Sequence, residues 1–317
     1  MDAVLWHRHA TTPLPPAPPP AQAGTPAPPG YLQAVTQHLR ATHFAAAALE
    51  EVAATLSATV EANGQRPPGS KQILALTAPN ATGKSTLTKR WARARYLDAI
   101  AEQANTPSLP SWSPRPGYTA HLVPVVYINL IAGSRIKEIN AQILTFLGYP
   151  GEGLTRVTTT RVVHALGMHQ VRLVVVDDAH LLKMNRVGGR EVLDYLKFLN
   201  TELGELHGTL VLVGAHLDGG PIVTDPQIEA RLHLLHLHPF GIEAREEQVA
   251  WKRFLRDADA TLHAVDRGTA LTRADLARVR LSERAEAAEK DWEARTRRKA
   301  GAAGRTTPSV LPKASKP

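Results

Sequence analysis

The stretch QILALTAPNATGKSTL, Gln72 to Leu87, limits what this chain can fold into more than any other. Its apolar run, Ile73 to Leu76, is short and bounded, the pattern of a buried strand. The chain then turns through Ala78, Pro79, Asn80, Ala81, Thr82 and Gly83 and enters a helix at Lys84, Ser85 and Thr86. Strand, loop and helix in that order form a phosphate loop. N–H groups at a helix start have no partner within the helix, so they face a phosphate chain. Lys84 brings a positive charge to the β- and γ-phosphates of ATP, and Ser85 offers a hydroxyl to Mg²⁺. Residues Ala78 to Thr86 are therefore expected to bind nucleotide. Ala78 and Ala81 stand where glycine is usual, and a positive φ costs alanine more than glycine. The simpler alternative is an ordinary glycine-containing turn before a helix.

A second acidic element follows in VRLVVVDDAHLL, Val171 to Leu182. A carboxylate ending a buried apolar strand calls for a cation. Downstream of a phosphate loop, Asp177 is read as the Walker B aspartate that holds Mg²⁺ through water. Asp178 occupies the place of the glutamate that polarises the attacking water, one methylene shorter. An aspartate pair at a strand end also suits a helix N-cap. Lys84 and Asp177 are expected to converge at the carboxyl edge of adjoining parallel strands. Arg231, in TDPQIEARLHLLHLHPF, follows a short helix and precedes a strand. There it can reach the γ-phosphate of a neighbouring subunit, or form a surface salt bridge with Glu229 or Asp225.

The remaining pattern alternates strands with helices. Val123 to Leu130, Thr209 to Gly214 and Leu232 to Leu237 read as further strands. Helices are expected at Ser85 to Ala104, Ile136 to Leu147, Thr160 to Met168 and Asp225 to Leu232, with a leucine stripe from Leu193 to Leu206. Asn105 to Tyr118, with four prolines, reads as a loop. Alternation of this kind implies a parallel sheet covered on both faces.

Residues 1–30 are so rich in proline that they read as a disordered arm. From residue 31 to 70, spacings of three and four in Leu32, Val35, Leu39, Leu49, Val52, Leu56 and Val60 predict an N-terminal helical extension. A short helical lid or tail helix is expected over 241–300, and a disordered basic tail over 301–317. Cysteine is absent from the 317 residues, which removes thiolate catalysis and disulfides. With no membrane-length apolar run and no secretory leader, a cytoplasmic location is expected. The net charge of +8 and pI near 9.8 favour a polyanionic partner such as nucleic acid, or a merely solubilising surface. His233, His236 and His238 alternate with leucines, and a packed or exposed strand face explains them better than a metal.

APNATGKST, LVVVDDAH, KFLNTELGELHGTLVLVGAH and DPQIEARLHLLHLHPF, in that order, resemble the TniB/TnsC group of AAA+ transposition ATPases. The resemblance runs from about Gln72 to Phe240. It implies an α/β P-loop AAA+ core over 71–240, with a parallel five-stranded sheet covered by helices; the sequence departs from the family pattern in a reduced C-terminal lid, with one helix at Glu243 to Asp259 and no apolar helices after it to complete the lid. It further implies ATP and Mg²⁺ as cofactors, an ATP-dependent homo-oligomer, and duplex DNA and a transposase or integrase subunit as partners. By that match Lys84, Ser85 and Thr86 bind nucleotide, Asp177 binds magnesium, Asp178 holds the catalytic acid position and Arg231 the finger position. His216 is the sole polar candidate for a sensor after the fourth strand. Arg135, Lys137, Lys183, Arg186 and Arg190 follow strands whose loops face a central duplex in such rings. An ATPase of a defence or signalling system, and a nucleotide-gated binding module with little turnover, are the competing functions.

Overall fold

The computed structural model of the 317-residue chain describes residues 1–19, 29–43, 46–182, 189–239 and 245–265. The chain divides into two compact units, one built from Met1–Pro13 with Phe44–Arg256, the other from Leu14–His43 with Asp257–Pro317.

The larger unit opens with α1 (Ala3–Thr11), capped by Asp2, whose carboxylate accepts from the Leu5 N–H at 2.8 Å. Ala3, Trp6 and Ala10 recur at helical spacing and are buried. The expectation of a disordered arm over residues 1–30 therefore fails at its start, because this spacing gives the segment an apolar face to bury. In the smaller unit, α2 (Tyr31–Ala41) buries Tyr31, Val35 and Leu39, and the His38 ring bonds the Pro15 carbonyl at 2.9 Å.

The larger unit continues with α3 (Ala47–Gln65), β1 (Ile73–Thr77) and α4 (Lys84–Ala99). An antiparallel hairpin, β2 (Ser111–Arg115) and β3 (Tyr118–His121), occupies the predicted loop. Prolines are tolerated there because the hairpin is a separate two-stranded sheet with a register shift between Trp112 and Arg115. Next come β4 (Val125–Asn129), α5 (Ile136–Phe146), α6 (Thr155–Met168), β5 (Leu173–Asp177), α7 (Gly189–Glu205) and β6 (Thr209–Gly214). Two single-turn helices, α8 (Pro221–Thr224) and α9 (Pro226–Glu229), lead into β7 (Leu232–His236). The last helix, α10 (Arg245–Val265), falls within the segment 241–300 expected to form a lid or tail helix; the rest of that segment and the basic tail lie outside the described residues.

The central sheet has five strands in the order β4-β5-β6-β1-β7, all parallel. Every residue of β1, β5 and β6 is buried, which is why these strands are continuous apolar runs. Helices α3 and α4 pack on one another and on β6, and α1 packs on α4; α5, α6 and α7 form a second group, in contact with β4 and β6. Burial of each Leu, Ile or Val side chain here contributes about 1.5–3 kcal/mol.

Polar side chains tie the amino-terminal edge of the sheet to its helices. Asn63 of α3 donates to the Gln72 carbonyl (2.9 Å) and to Thr209 Oγ1 (3.1 Å), and accepts from the Gln72 N–H (3.2 Å). Asn200 of α7 donates to the Lys71 carbonyl at 2.8 Å. No helix among the described residues is long and apolar enough to cross a membrane.

Candidate functional site

The site lies where β1, β6 and β5 end. Ala78 to Gly83 leave β1 as a loop, and Gly83 enters α4 in the left-handed region at φ 93°. A Cβ at Gly83 would meet nothing within 4 Å, so the backbone angle, not space, calls for glycine there. Ala81 is also left-handed at φ 63°, a conformation that costs an L-residue about 1–2 kcal/mol. Ala78 has no positive φ, so alanine in place of the usual first glycine carries no backbone cost. The first turn of α4 presents N–H groups with no intrahelical acceptor, the arrangement that receives a phosphate.

The Lys84 ammonium is buried and spans the loop, donating to the carbonyls of Ala78 (2.9 Å) and Pro79 (2.7 Å). Desolvation lowers its pKa from the ordinary lysine value, and the charges of Asp177 and Asp178 pull it back up. Lys84 therefore feels both carboxylates, although they are about ninety residues away in the chain. The expectation that Lys84 and Asp177 converge from adjoining strands is corrected, because β6 lies between β1 and β5.

Asp177 is the last residue of β5, paired in register with Asn129 of β4 and buried to 1% exposure. Its Oδ1 accepts from the Asp178 N–H at 3.0 Å and its Oδ2 from the Tyr127 hydroxyl at 2.7 Å. The other face of the Tyr127 hydroxyl meets Thr88 Oγ1 at 3.1 Å, and Thr88 donates to the Lys84 carbonyl at 2.9 Å. Burial and the Asp177 charge push the Tyr127 hydroxyl's pKa far above the usual tyrosine range, so it stays a donor. Asp178 stands half-buried in the left-handed region at φ 57° and begins a single helical turn without capping it through its side chain.

The end of β6 closes against this carboxylate loop. A Cβ at Gly214 would come within 3.0 Å of the His180 N and 2.9 Å of Leu217 Cδ2. The Ala215 N–H donates to His180 Nδ1 at 3.3 Å, and the Leu217 N–H to Thr77 Oγ1 at 2.9 Å. His216, the expected sensor, is exposed in the left-handed region at φ 52°.

Arg231 is not brought to this site. Its carbonyl accepts from the Ile73 N–H at 2.7 Å, which pins it at the amino-terminal edge of the sheet. The five residues of β1 separate that edge from the loop by about 16 Å. Arg231 is exposed, and among the described residues its guanidinium meets the Gln227 carbonyl alone, at 3.4 Å. Neither Glu229 nor Asp225 pairs with it; Asp225 engages Arg190 at 3.0 Å and Lys197 at 3.8 Å.

The donor set suits Mg²⁺. Ser85 and Asp177 carry hard oxygen donors of the kind Mg²⁺ accepts, and Mg²⁺ would take one or two of these with water and substrate phosphates. No group of three or more His, Cys, Asp or Glu residues is placed to hold a metal among the described residues. His236 and His238 stack with ring centroids 5.7 Å apart, and His233 meets Thr59 at 3.2 Å. A cavity of about 540 Å³ between α5 and α6, lined by Leu144, Tyr149, Val157, Arg161 and His164, contains none of the predicted site residues.

Tyr127 and Thr88 lie outside every motif read from the sequence, and His180, the last residue of LVVVDDAH, was given no role there. A tyrosine inside the run VVYIN was the available signal, because a buried phenol needs a hydrogen-bond partner.

Among curated proteins, none matches the chain. Solved structures with a similar fold include the ORC2 protein of Aeropyrum pernix (16% identity, TM-score 0.47, covering 68% of this chain and 51% of that one). They also include Cdc6p of Pyrobaculum aerophilum (17%, 0.44, 67% and 49%) and DnaA of Aquifex aeolicus (14%, 0.39, 81% and 70%). The match spans about half the length of the first two. A family model described as bacterial TniB protein matches residues 37–242, well over half of the chain. The parallel sheet, the phosphate loop after β1 and the acidic end of β5 fit that match, and the chain belongs to the TniB family of AAA+ P-loop ATPases.

Proposed function

We propose that this protein is an ATP-dependent regulator of DNA transposition, which assembles on duplex DNA as a homo-oligomer and engages a transposase or integrase subunit. The nucleotide reading rests on one observation: Lys84 and the Asp177–Asp178 pair share one electrostatic site at the carboxyl ends of β1 and β5. In this reading the backbone from Ala78 to Thr86 cradles the phosphates, and Lys84 leaves the Ala78 and Pro79 carbonyls for the β- and γ-phosphates. Ser85 and Asp177 hold Mg²⁺, which when bound neutralises charge on the phosphates. Asp178 orients the attacking water. Arg231, too far from its own chain's loop, serves the site of the next subunit, so turnover depends on assembly.

The DNA reading draws on charge and on the loops beyond β4 and β5. The Gly133 N–H donates to the Leu181 carbonyl at 3.1 Å, and Ser134 bridges to Leu182, so the two loops run together. Arg135 and Lys137 are exposed beside that junction. Arg190 is less suited to a phosphate, because it pairs with Asp194 and Asp225. Lys183 and Arg186 lie outside the described residues. The net charge of +8 favours the same partner.

A second reading, a nucleotide-gated binding module with slow turnover, is favoured by Asp178, whose shorter side chain reaches less far than glutamate. Phosphate release measured with and without duplex DNA separates these functions. DNA-stimulated hydrolysis supports the transposition regulator. DNA-independent turnover points to an ATPase of a defence or signalling system. Tight ATP binding without phosphate release supports the module.

A further inference from the structure

The carboxylate of Asp177 is gripped from both sides, and one grip comes from a residue that no motif identifies. Tyr127 sits in β4 opposite Val175, two residues before the Asn129–Asp177 pair. Side chains two apart on a strand share a face, so the long phenol reaches along that face to Asp177. Its hydroxyl donates to Oδ2 at 2.7 Å while the Asp178 N–H donates to Oδ1 at 3.0 Å. One fixed donor on each oxygen sets the plane of the carboxylate and leaves its remaining lone pairs free to accept from metal-bound water.

The ring of Tyr127 is itself held. Trp6 of α1 stacks on it with centroids 5.4 Å apart and planes 14° apart, and Trp6 has no exposed surface. Lys89 of α4 approaches the ring to 5.7 Å. Helix α1 is locked by its next residue: the His7 ring bonds the Tyr96 hydroxyl at 2.9 Å and the Thr106 carbonyl at 3.0 Å. A hydrogen-bonded and stacked path therefore runs from α1 through Trp6 and Tyr127 to Asp177.

We propose that Tyr127 is a positioning residue for the magnesium-binding carboxylate, and that α1, through Trp6, keeps it in place. This inference rests on the reading of Asp177 as the magnesium carboxylate. Groups that orient a metal's ligands typically change metal affinity or activity by about 10–100-fold when removed.

The experiment is a Mg²⁺ titration of fluorescent ATP-analogue binding to the full chain. Tyr127→Phe keeps the ring and its stacking but removes the donor. It is expected to raise the Mg²⁺ needed for half-maximal binding about tenfold or more, with analogue binding in EDTA unchanged. A wild-type Mg²⁺ requirement in Tyr127→Phe overturns the proposal. If the wild type shows no Mg²⁺ dependence, or Lys84→Ala binds as well as the wild type, the nucleotide-site reading fails instead. A second readout uses the protein without nucleotide or Mg²⁺. A double-mutant cycle of Tyr127→Phe and Asp177→Asn on unfolding is expected to show coupling, and additive effects overturn the hydrogen bond's role. For α1, Tyr127→Ala is expected to raise amide exchange across Ala3–Thr11 while Tyr127→Phe does not. Unchanged protection in Tyr127→Ala overturns the Trp6 seat.

Discussion

Lys84 and Asp177 face a common site across the end of an intervening strand, β6, rather than from neighbouring strands. That spacing leaves the carboxyl end of β6 between them, where Gly214 packs too closely on His180 to admit a side chain. Both charged groups are buried, so each depends on the loops that hold it.

Lys84→Ala removes the ammonium that spans the loop. The wild type should gain about 2.7 kcal/mol of stability at a hundredfold excess of ATP over Kd, and the variant should gain none. Thermal unfolding with and without Mg·ATP checks this.

Asp178→Asn keeps the size of the side chain and removes its charge. ATP binding should persist while phosphate release falls about 10²–10⁴-fold, the usual contribution of a general base. Equal losses of binding and turnover would instead assign Asp178 to holding the loop.

Arg231→Ala should leave nucleotide binding intact and reduce turnover by roughly 10³–10⁵ if the residue acts on a neighbouring subunit. Mixing this variant with Lys84→Ala should restore part of the activity, because each chain then supplies what the other lacks. A mixture as inactive as its components would remove the role in trans.

Under the proposed function, Arg135 and Lys137 would contact DNA phosphates. Replacing both with alanine should weaken duplex binding for all sequences and reduce the salt slope by about 0.9 for each phosphate lost. Affinity measured across a salt series tests this, and an unchanged slope assigns DNA contact to other residues.

His169 predicts a pH effect on stability. Its Nδ1 donates to the His121 carbonyl at 2.8 Å, so Nε2 accepts from the Tyr149 hydroxyl at 2.9 Å in the neutral ring. Burial lowers its pKa from 6.5, against a smaller opposing effect of the His121 carbonyl. The unfolded chain then takes up a proton before the folded one. This contribution to stability is intact above pH 6.5 and is lost as pH falls from there toward the depressed folded value. Urea midpoints at pH 7.5 and pH 5, about one unit above and one and a half units below the ordinary histidine value of 6.5, should differ more in the wild type than in His169→Gln.

Strands β1, β5 and β6 were legible because a strand buried on both faces is a near-continuous apolar run, as Leu173 to Val176 are. The phosphate loop was legible because its chemistry is local. Helix α1 was obscured by the proline run that follows it, although Asp2 as a cap and Ala3, Trp6 and Ala10 at helical spacing carried the signal. The β2–β3 hairpin was missed because Pro110, Pro114 and Pro116 argue against a central strand, and this pair is not in the central sheet. Gly204 lies in the leucine-striped helix α7. It is where the Gly69 carbonyl presses on α7, leaving no room for a Cβ. Contacts such as Tyr127 with Asp177 join residues fifty positions apart and have no sequence period to betray them.

The family match starts at residue 37, whereas α1 ends at Thr11. An expression fragment trimmed to the matched segment would discard the indole that roofs Tyr127 and leave that phenol's aromatic face bare. The smallest piece able to behave like the whole enzyme therefore has to begin upstream of Trp6, across a proline tract that sequence-guided cloning would cut away.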